Sequence, residues 1–224
     1  MARKPGAKKP AAAKHAGRKI IAGSTGTRVK GHAETGEDPA ADRAGELAPP
    51  PAPGAPASRA ELFAFLDHLG VAHRTVEHEA FFTVEQGRAL KQQWPGGHSK
   101  NLFLKDKKGA LYLAVALGET RVDIVALGKR LGAKGRLSFG SPELMTATLG
   151  VIPGSVTPFA LINDSARALA GVVLDEGLLA HDPVWFHPLE NTASTAVSPA
   201  GLLEFLRACG VEPLICDLSA PLRP

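Results

Sequence analysis

Gly96-Gly97-His98-Ser99-Lys100-Asn101-Leu102-Phe103-Leu104 is the stretch on which the reading of this chain turns. A short glycine turn delivers a lysine and an asparagine to the mouth of an apolar β-strand, Asn101 to Lys105. Asp106-Lys107-Lys108-Gly109 then makes a hairpin connection to a second strand, Ala110 to Leu117. Its run Leu111-Tyr112-Leu113-Ala114-Val115-Ala116-Leu117 is apolar on both faces, which places it in the middle of a sheet covered above and below.

The cover is found by working outward. Ser58 with Glu61 forms a capping box that opens a helix with Leu62, Phe63, Leu66 and Leu69 on one face, stopped by Gly70. His73 to His78 reads as a short strand. Thr83 with Gln86 repeats the box signal for a second helix ending before Trp94-Pro95. On the other side, Asp123 begins a helix through Ile124, Leu127 and Leu131. Lys134 to Phe139 reads as a strand, and Ser141-Pro142-Glu143 starts another helix with proline in its first turn. Phe159 to Asn163, Gly171 to Asp175, Val184 to His187 and Thr192 to Val197 read as strands. Ser198-Pro199 starts a last helix with Leu202, Leu203, Leu206 and Cys209 on its face, and Pro213 to Leu218 closes the sheet. Helices and strands intersperse without strict alternation. The expected class is therefore mixed α/β (α+β): a mixed sheet flanked by helices.

A second turn carries chemistry as well: Gly154-Ser155-Val156-Thr157-Pro158-Phe159. The first turn offers a cation and an amide side chain. The second offers backbone N–H groups that a glycine leaves uncovered. Together they suit a phosphate-bearing ester. The eight histidines make no zinc pattern, since His68, His73 and His78 are five apart across a helix–strand boundary. Gly-x-Ser-x-Gly and Gly-x-x-x-x-Gly-Lys are both absent. An enzyme built on these residues works by positioning and polarisation, with no metal and no cofactor expected. Taken alone, Lys100 reads as a solvated charge and His187 as a core histidine bonded to a backbone carbonyl.

Residues 1–58 are of a different composition, rich in Ala, Pro, Gly, Lys and Arg and poor in large apolar side chains. Such a segment cannot offset its chain entropy by burial and is expected to be disordered. The remaining 166 residues, 59–224, suit one domain with one sizeable core. The formal charge of +4 divides into +5 on the tail and −1 on the domain. The basic tail fits either a nucleic-acid-attracting arm or a solubilising extension. Cys209 and Cys216 fall in a helix end and an apolar strand, where reduced core packing is the default. No apolar run has signal-peptide or membrane-spanning character, so a cytoplasmic location is expected and no membrane partner.

Three ordered motifs carry a resemblance. They are His98-Ser99-Lys100-Asn101-Leu102-Phe103-Leu104 with Lys107-Lys108-Gly109, then Gly150-Val151 with Pro153-Gly154-Ser155-Val156-Thr157-Pro158-Phe159, then Phe186-His187-Pro188 with Asn191 and Thr192. From about Arg59 to Leu218 the chain resembles the YbaK/aminoacyl-tRNA deacylase superfamily, which includes the editing domain of bacterial prolyl-tRNA synthetases. Within it the chain is most similar to the free-standing ProXp-ala branch, which hydrolyses mischarged Ala-tRNA(Pro). The resemblance implies a mixed α/β editing-domain fold, a deacylase reaction, the acceptor end of a mischarged tRNA as partner, and prolyl-tRNA synthetase as a further one. It implies that Lys100 is the essential lysine, Gly154 to Pro158 the glycine–proline loop with Gly154 and Ser155 at the reacting ester, and His187 the pocket histidine. Asn101, Val156, Thr157, Pro158, Asn191 and Thr192 are then substrate-binding. The physical logic is compatible. Lysine suits the terminal phosphate, bare amides suit a developing oxyanion, and a second site admitting only the smaller amino acid completes a double sieve. Alternatives are removal of cysteine or another small residue, and a non-catalytic RNA-binding adaptor.

Overall fold

Strand β2, Gly97–Lys105, is longer than the sequence implied and runs four residues further toward the N-terminus. The cause is long-range. Gly97 and His98 pair in parallel with Val184 and Trp185, which draws the turn residues into the sheet. Lys100 and Asn101 therefore lie mid-strand, not at a strand mouth. The Gly-Gly pair is a packing requirement: a Cβ on Gly96 would sit 2.2 Å from the Pro183 carbonyl oxygen, and one on Gly97 2.8 Å from His181 Cβ.

The computed structural model describes residues 54–80 and 93–219, all within the unit Gly45–Pro224. Of the tail expected to be disordered, residues 1–53 lie outside the described residues, as does the start of the helix expected from Thr83 with Gln86; residues 54–58 are described, and there Ala57 is buried with its N–H on Asn163 Oδ1 at 2.7 Å, so the domain begins before residue 59. Among the described residues there are eight strands: β1 His73–Glu77, β2, β3 Leu111–Leu117, β4 Ser138–Phe139, β5 Leu169–Asp175, β6 Val184–Phe186, β7 Ala193–Val197 and β8 Leu214–Cys216. Their order is β1-β7-β6-β2-β3-β5-β8, with β4 paired to the end of β2. The sheet is mixed: β2–β3, β1–β7, β6–β7 and β2–β4 are antiparallel, while β2–β6, β3–β5 and β5–β8 are parallel. β3 is interior, as its two apolar faces require.

The α-helices among the described residues are α1 Arg59–His68, α2 Ile124–Arg130, α3 Pro142–Leu149, the single turn α4 Glu176–Leu179, and α5 Pro199–Ala208. Their starts are where side-chain caps occur. Ser58 and Glu61 make the full capping box, Asp123 accepts from two amides, and Ser141 and Ser198 precede a proline. Pairs of alternating side chains divide the sheet. Phe103, Leu113, Val115 and Leu174 face a core built with α1, α3 and α5. Leu104, Tyr112, Ala114 and Ala116 face a smaller core with Leu127 of α2, Leu137, Val173 and Leu218. Each fully buried Leu or Phe contributes about 1.5–3 kcal/mol.

Two readings of the sequence are corrected. Phe159 to Asn163 is not a strand: Pro158–Ile162 and Asp164–Ala168 are 3-10 helices, the first capped by the Thr157 hydroxyl. A short apolar run, here buried at every position but Ile162, has no period to distinguish the two. Lys134 to Phe139 shortens to Ser138–Phe139, because Lys134 is held instead by the Asp106 carboxylate.

Candidate functional site

Side chains alternate along β2, so Lys100 and Asn101 leave it on opposite faces. The Lys100 side shares its face with Leu102 and Leu104, opposite Ala116, Ala114 and Tyr112 of β3. Its Nζ donates to the Thr120 carbonyl oxygen. The Thr120 hydroxyl donates to Asp175 Oδ2 at 2.7 Å, and that buried carboxylate also accepts from the amides of Leu117, Gly177 and Leu218 at 3.1–3.3 Å. The lysine is thus seated on a loop that a buried carboxylate holds.

Asn101 lies on the other face. Its Nδ2 donates to the Val156 carbonyl at 2.8 Å, which fastens the Gly154 loop to the sheet. Gly154 takes φ +90°, and a Cβ there would meet Asn191 Nδ2 at 3.2 Å. Asn101, Gly154, Val156 and the buried Asn191 therefore form one group. Ser155 N–H closes a turn on the Ile152 carbonyl at 3.0 Å and so is not a bare amide. Among the described residues, the amides of Gly154 and Val156 make no hydrogen bond. Two buried atoms beside them, Asn101 Oδ1 and Ser155 Oγ, have no hydrogen-bond partner among the described residues. Unsatisfied buried polar atoms are costly and rare, so they mark a place where a polar ligand or water fits. Thr157 is buried as a helix cap and Pro158 is buried behind it, both shaping the loop from below.

Lys100 and Gly154 do not touch. What relates them is a gap in the sheet. On the side of β2 away from β3, the β6 ladder ends at His98 and the β4 ladder begins at Leu104. Among the described residues no strand pairs the β2 edge from Ser99 to Leu102; the Ser99 hydroxyl, at 2.9 Å, takes up the Trp185 carbonyl instead.

His187 follows β6 on the face of Trp185. Its Nδ1 donates to the Ala193 carbonyl at 2.9 Å, and its ring centroid lies 5.9 Å from that of His78. His78, Trp94, Trp185 and His98 continue from it as a chain of ring contacts, with His98 and Trp185 stacked 7° from parallel. His98 closes the glycine turn, its Nε2 bonding the Trp94 carbonyl at 2.9 Å. Thr192 has an exposed side chain, and its carbonyl accepts from His78 N–H at 2.8 Å. His187 and Thr192 thus adjoin His78, while Asn191 turns to Gly154. Reading the sequence missed Thr120, Asp175 and the His78–Trp94–Trp185 array. The first two had no motif to mark them; the array's members are distant in sequence.

The described residues contain no group of three or more His, Cys, Asp or Glu placed to hold a metal. Nor does any described helix have the length and apolarity to cross a membrane. Burial pushes the Cys209 thiol up to about 12, which makes it a packing residue.

The profile of the aminoacyl-tRNA editing domain matches residues 78–205. The chain belongs to that family. It is 39% identical over 163 residues to mouse (Mus musculus) prolyl-tRNA synthetase associated domain-containing protein 1, spanning 71% of this chain and 95% of that protein. It is 31% identical over 150 residues to the prolyl-tRNA editing protein ProX of Acetoanaerobium sticklandii, spanning 66% of this chain and 90% of that one. In fold it is similar to a crystal structure of a candidate trans-editing enzyme for prolyl tRNA synthetase, with a TM-score of 0.56, 24% identity, and coverage of 73% of this chain and 98% of that one.

Proposed function

We propose that the protein hydrolyses the ester of a tRNA(Pro) mischarged with a small amino acid, alanine foremost, acting in trans to prolyl-tRNA synthetase. One observation carries the reading: the unpaired edge of β2 presents a cation on one face and a glycine loop with two unengaged amides on the other. An aminoacylated 3′ end has matching parts in the same order, a phosphate, a ribose and an acyl ester.

Lys100 takes the terminal phosphate as a point charge, exchanging its contact with the Thr120 carbonyl for a stronger, charge-assisted one. The Gly154 and Val156 amides face the ester carbonyl, where the absent Cβ allows close approach. Water adds to that carbonyl, and the amides hold the oxygen as it becomes negative. The carbon–oxygen bond to the ribose then breaks, and the ribose oxygen leaves with a proton. The neighbouring ribose hydroxyl orients the water, so no side-chain base is required. Asn101 Oδ1 and Ser155 Oγ supply acceptors for the amino acid's ammonium. His187, with His78 and Trp94 beside it, walls the approach and limits acyl size. Pocket size separates alanine from proline better than a synthetase site built for the larger residue can.

Release of labelled amino acid from Ala-, Ser-, Cys- and Pro-tRNA(Pro) tests this. Alanine release with proline retained is expected; no release above buffer from any of the four refutes it. Dominant release of cysteine or serine moves the same chemistry to that substrate. Lys100→Ala is expected to lower kcat/KM on the preferred substrate at least about 100-fold, through loss of a charge-assisted phosphate contact of roughly 3 kcal/mol. The Thr120 loop keeps its own hold on Asp175 in that variant, so its Tm should stay close to the parent value.

A further inference from the structure

The end of β2 opposite the gap bears a feature that the proposed reaction leaves unused. The hairpin after β2 and the loop after α2 are joined into one surface by Asp106. Its carboxylate accepts from Lys108 N at 2.8 Å and Ala110 N at 3.0 Å within the hairpin. It also accepts from Lys134 N at 2.7 Å across in the second loop. Lys107 N–H returns the link to the Lys134 carbonyl at 3.1 Å, and the Lys107 stem lies over Gly135, where a Cβ would come within 2.7 Å of Cδ.

The joined surface carries Lys107, Lys108, Lys129, Lys134 and Arg136, all exposed. None of the five is in an ion pair among the described residues. The acids nearest in sequence are occupied by backbone donors: Asp106 is buried beneath the loops, and Asp123 caps α2 through Val125 and Ala126 N–H at 2.9 Å each. The clustering does not follow from composition, because residues 59–224 sum to −1. Between α2 and the loop runs a groove of about 480 Å³, lined by Val125, Gly128, Lys129, Ala133 and Arg136.

Cations spread along a groove, with no single convergent site, fit a polyanion with repeating charge better than one phosphate group. The patch also shares the face of Lys100, since Leu127 of α2 and Leu137 pack on Leu104, two positions beyond Leu102 on that face. From Lys100 to the end of β2 is five residues, roughly 17 Å. A tRNA whose single-stranded end lies at Lys100 presents its duplex stem at about that reach.

Resting on the deacylase reading for the position of the 3′ end, we infer that this face is the docking surface for the phosphate backbone of the acceptor stem. It sets affinity for the tRNA body and takes no part in the ester chemistry.

Binding of uncharged tRNA(Pro) to the full chain by fluorescence anisotropy over a salt series tests it. The comparison is with Lys107→Gln/Lys134→Gln/Arg136→Gln and with a Lys107→Arg/Lys134→Arg control. The triple variant should bind about tenfold or more weakly at low salt, with a slope of log affinity against log salt shallower by roughly 2–3. The Arg control should match the parent, and both should keep the parent's Tm. A CCA trinucleotide, which lacks the stem, should bind parent and variant equally. Unchanged tRNA affinity and slope in the triple variant overturn the inference, as does an equal loss on the trinucleotide. The measurement uses uncharged tRNA, so it stands whether or not the ester is hydrolysed. A parent that binds but never deacylates would count against the proposed reaction alone.

Discussion

Gly154 shows how much one residue can decide. At φ +90° an L side chain is strained, and here a Cβ would also press on Asn191 Nδ2. Gly154→Ala is expected to destabilise the fold by about 1–2 kcal/mol and, on the proposed reaction, to lower kcat more than it raises KM, because it displaces the amides assigned there to the developing oxyanion. Deacylation kinetics with a parallel thermal melt separate the two effects. Cys209 is the opposite case, a reactive group made inert by its surroundings. With the thiol at about 12, roughly one molecule in ten thousand carries the thiolate at pH 8. In the folded protein Cys216, less buried, should react first with a maleimide, and Cys209 only on unfolding; peptide mapping after timed labelling checks the order. Both residues were legible as packing cysteines. The opposed directions of Lys100 and Asn101 were legible in principle from the two-residue period, once both lay inside the strand.

Among the elements, helix starts could be read because capping is local. Ser58–Glu61, Asp123, Ser141-Pro142 and Ser198-Pro199 each supply an acceptor or a fixed φ within four residues of the start. The length of β2, the 3-10 helix at Pro158–Ile162 and the shortness of β4 could not be, because pairing or capping partners lie far away. The Asp106 junction between hairpin and loop is of this kind and titrates. The Lys134 amide, followed by those of Ala110, Lys108 and Gly109, holds its carboxyl below the usual carboxylate range. The folded state thus favours the ionised form. Its stabilisation is full above the unfolded-state value and is lost as pH falls through the depressed folded one. The Tm advantage of the parent over Asp106→Asn should therefore be constant near neutrality and shrink in acid below about pH 4, as melts from pH 7 to pH 3 would show. Other carboxylates with lowered values, such as Glu61 and Glu77, contribute equally to both proteins and cancel.

On the scale of the whole molecule, Asp175 connects parts that the sequence keeps apart. One buried carboxylate receives the Leu117 amide at the end of β3, the Thr120 hydroxyl beneath Lys100, the Gly177 amide that opens α4, and the Leu218 amide near the C-terminus. Asp175→Ala leaves these donors unsatisfied in the interior and is expected to cost about 2–4 kcal/mol. It should also loosen the Thr120 loop, so residual activity should fall further than the fraction folded, measured by denaturant titration alongside turnover. By itself the sequence determined the mixed α/β class, the interior position of β3, the helix caps and the family, because each rests on local pattern or on ordered motifs. Only the tertiary structure decided that Lys100 and the Gly154 loop lie on opposite faces of β2 beside an unpaired strand edge, that Thr120 and Asp175 support the lysine, and that two basic loops form one face. Those relations depend on strand pairing and on hydrogen bonds between residues 20 to 60 positions apart in most cases, and no local period records them.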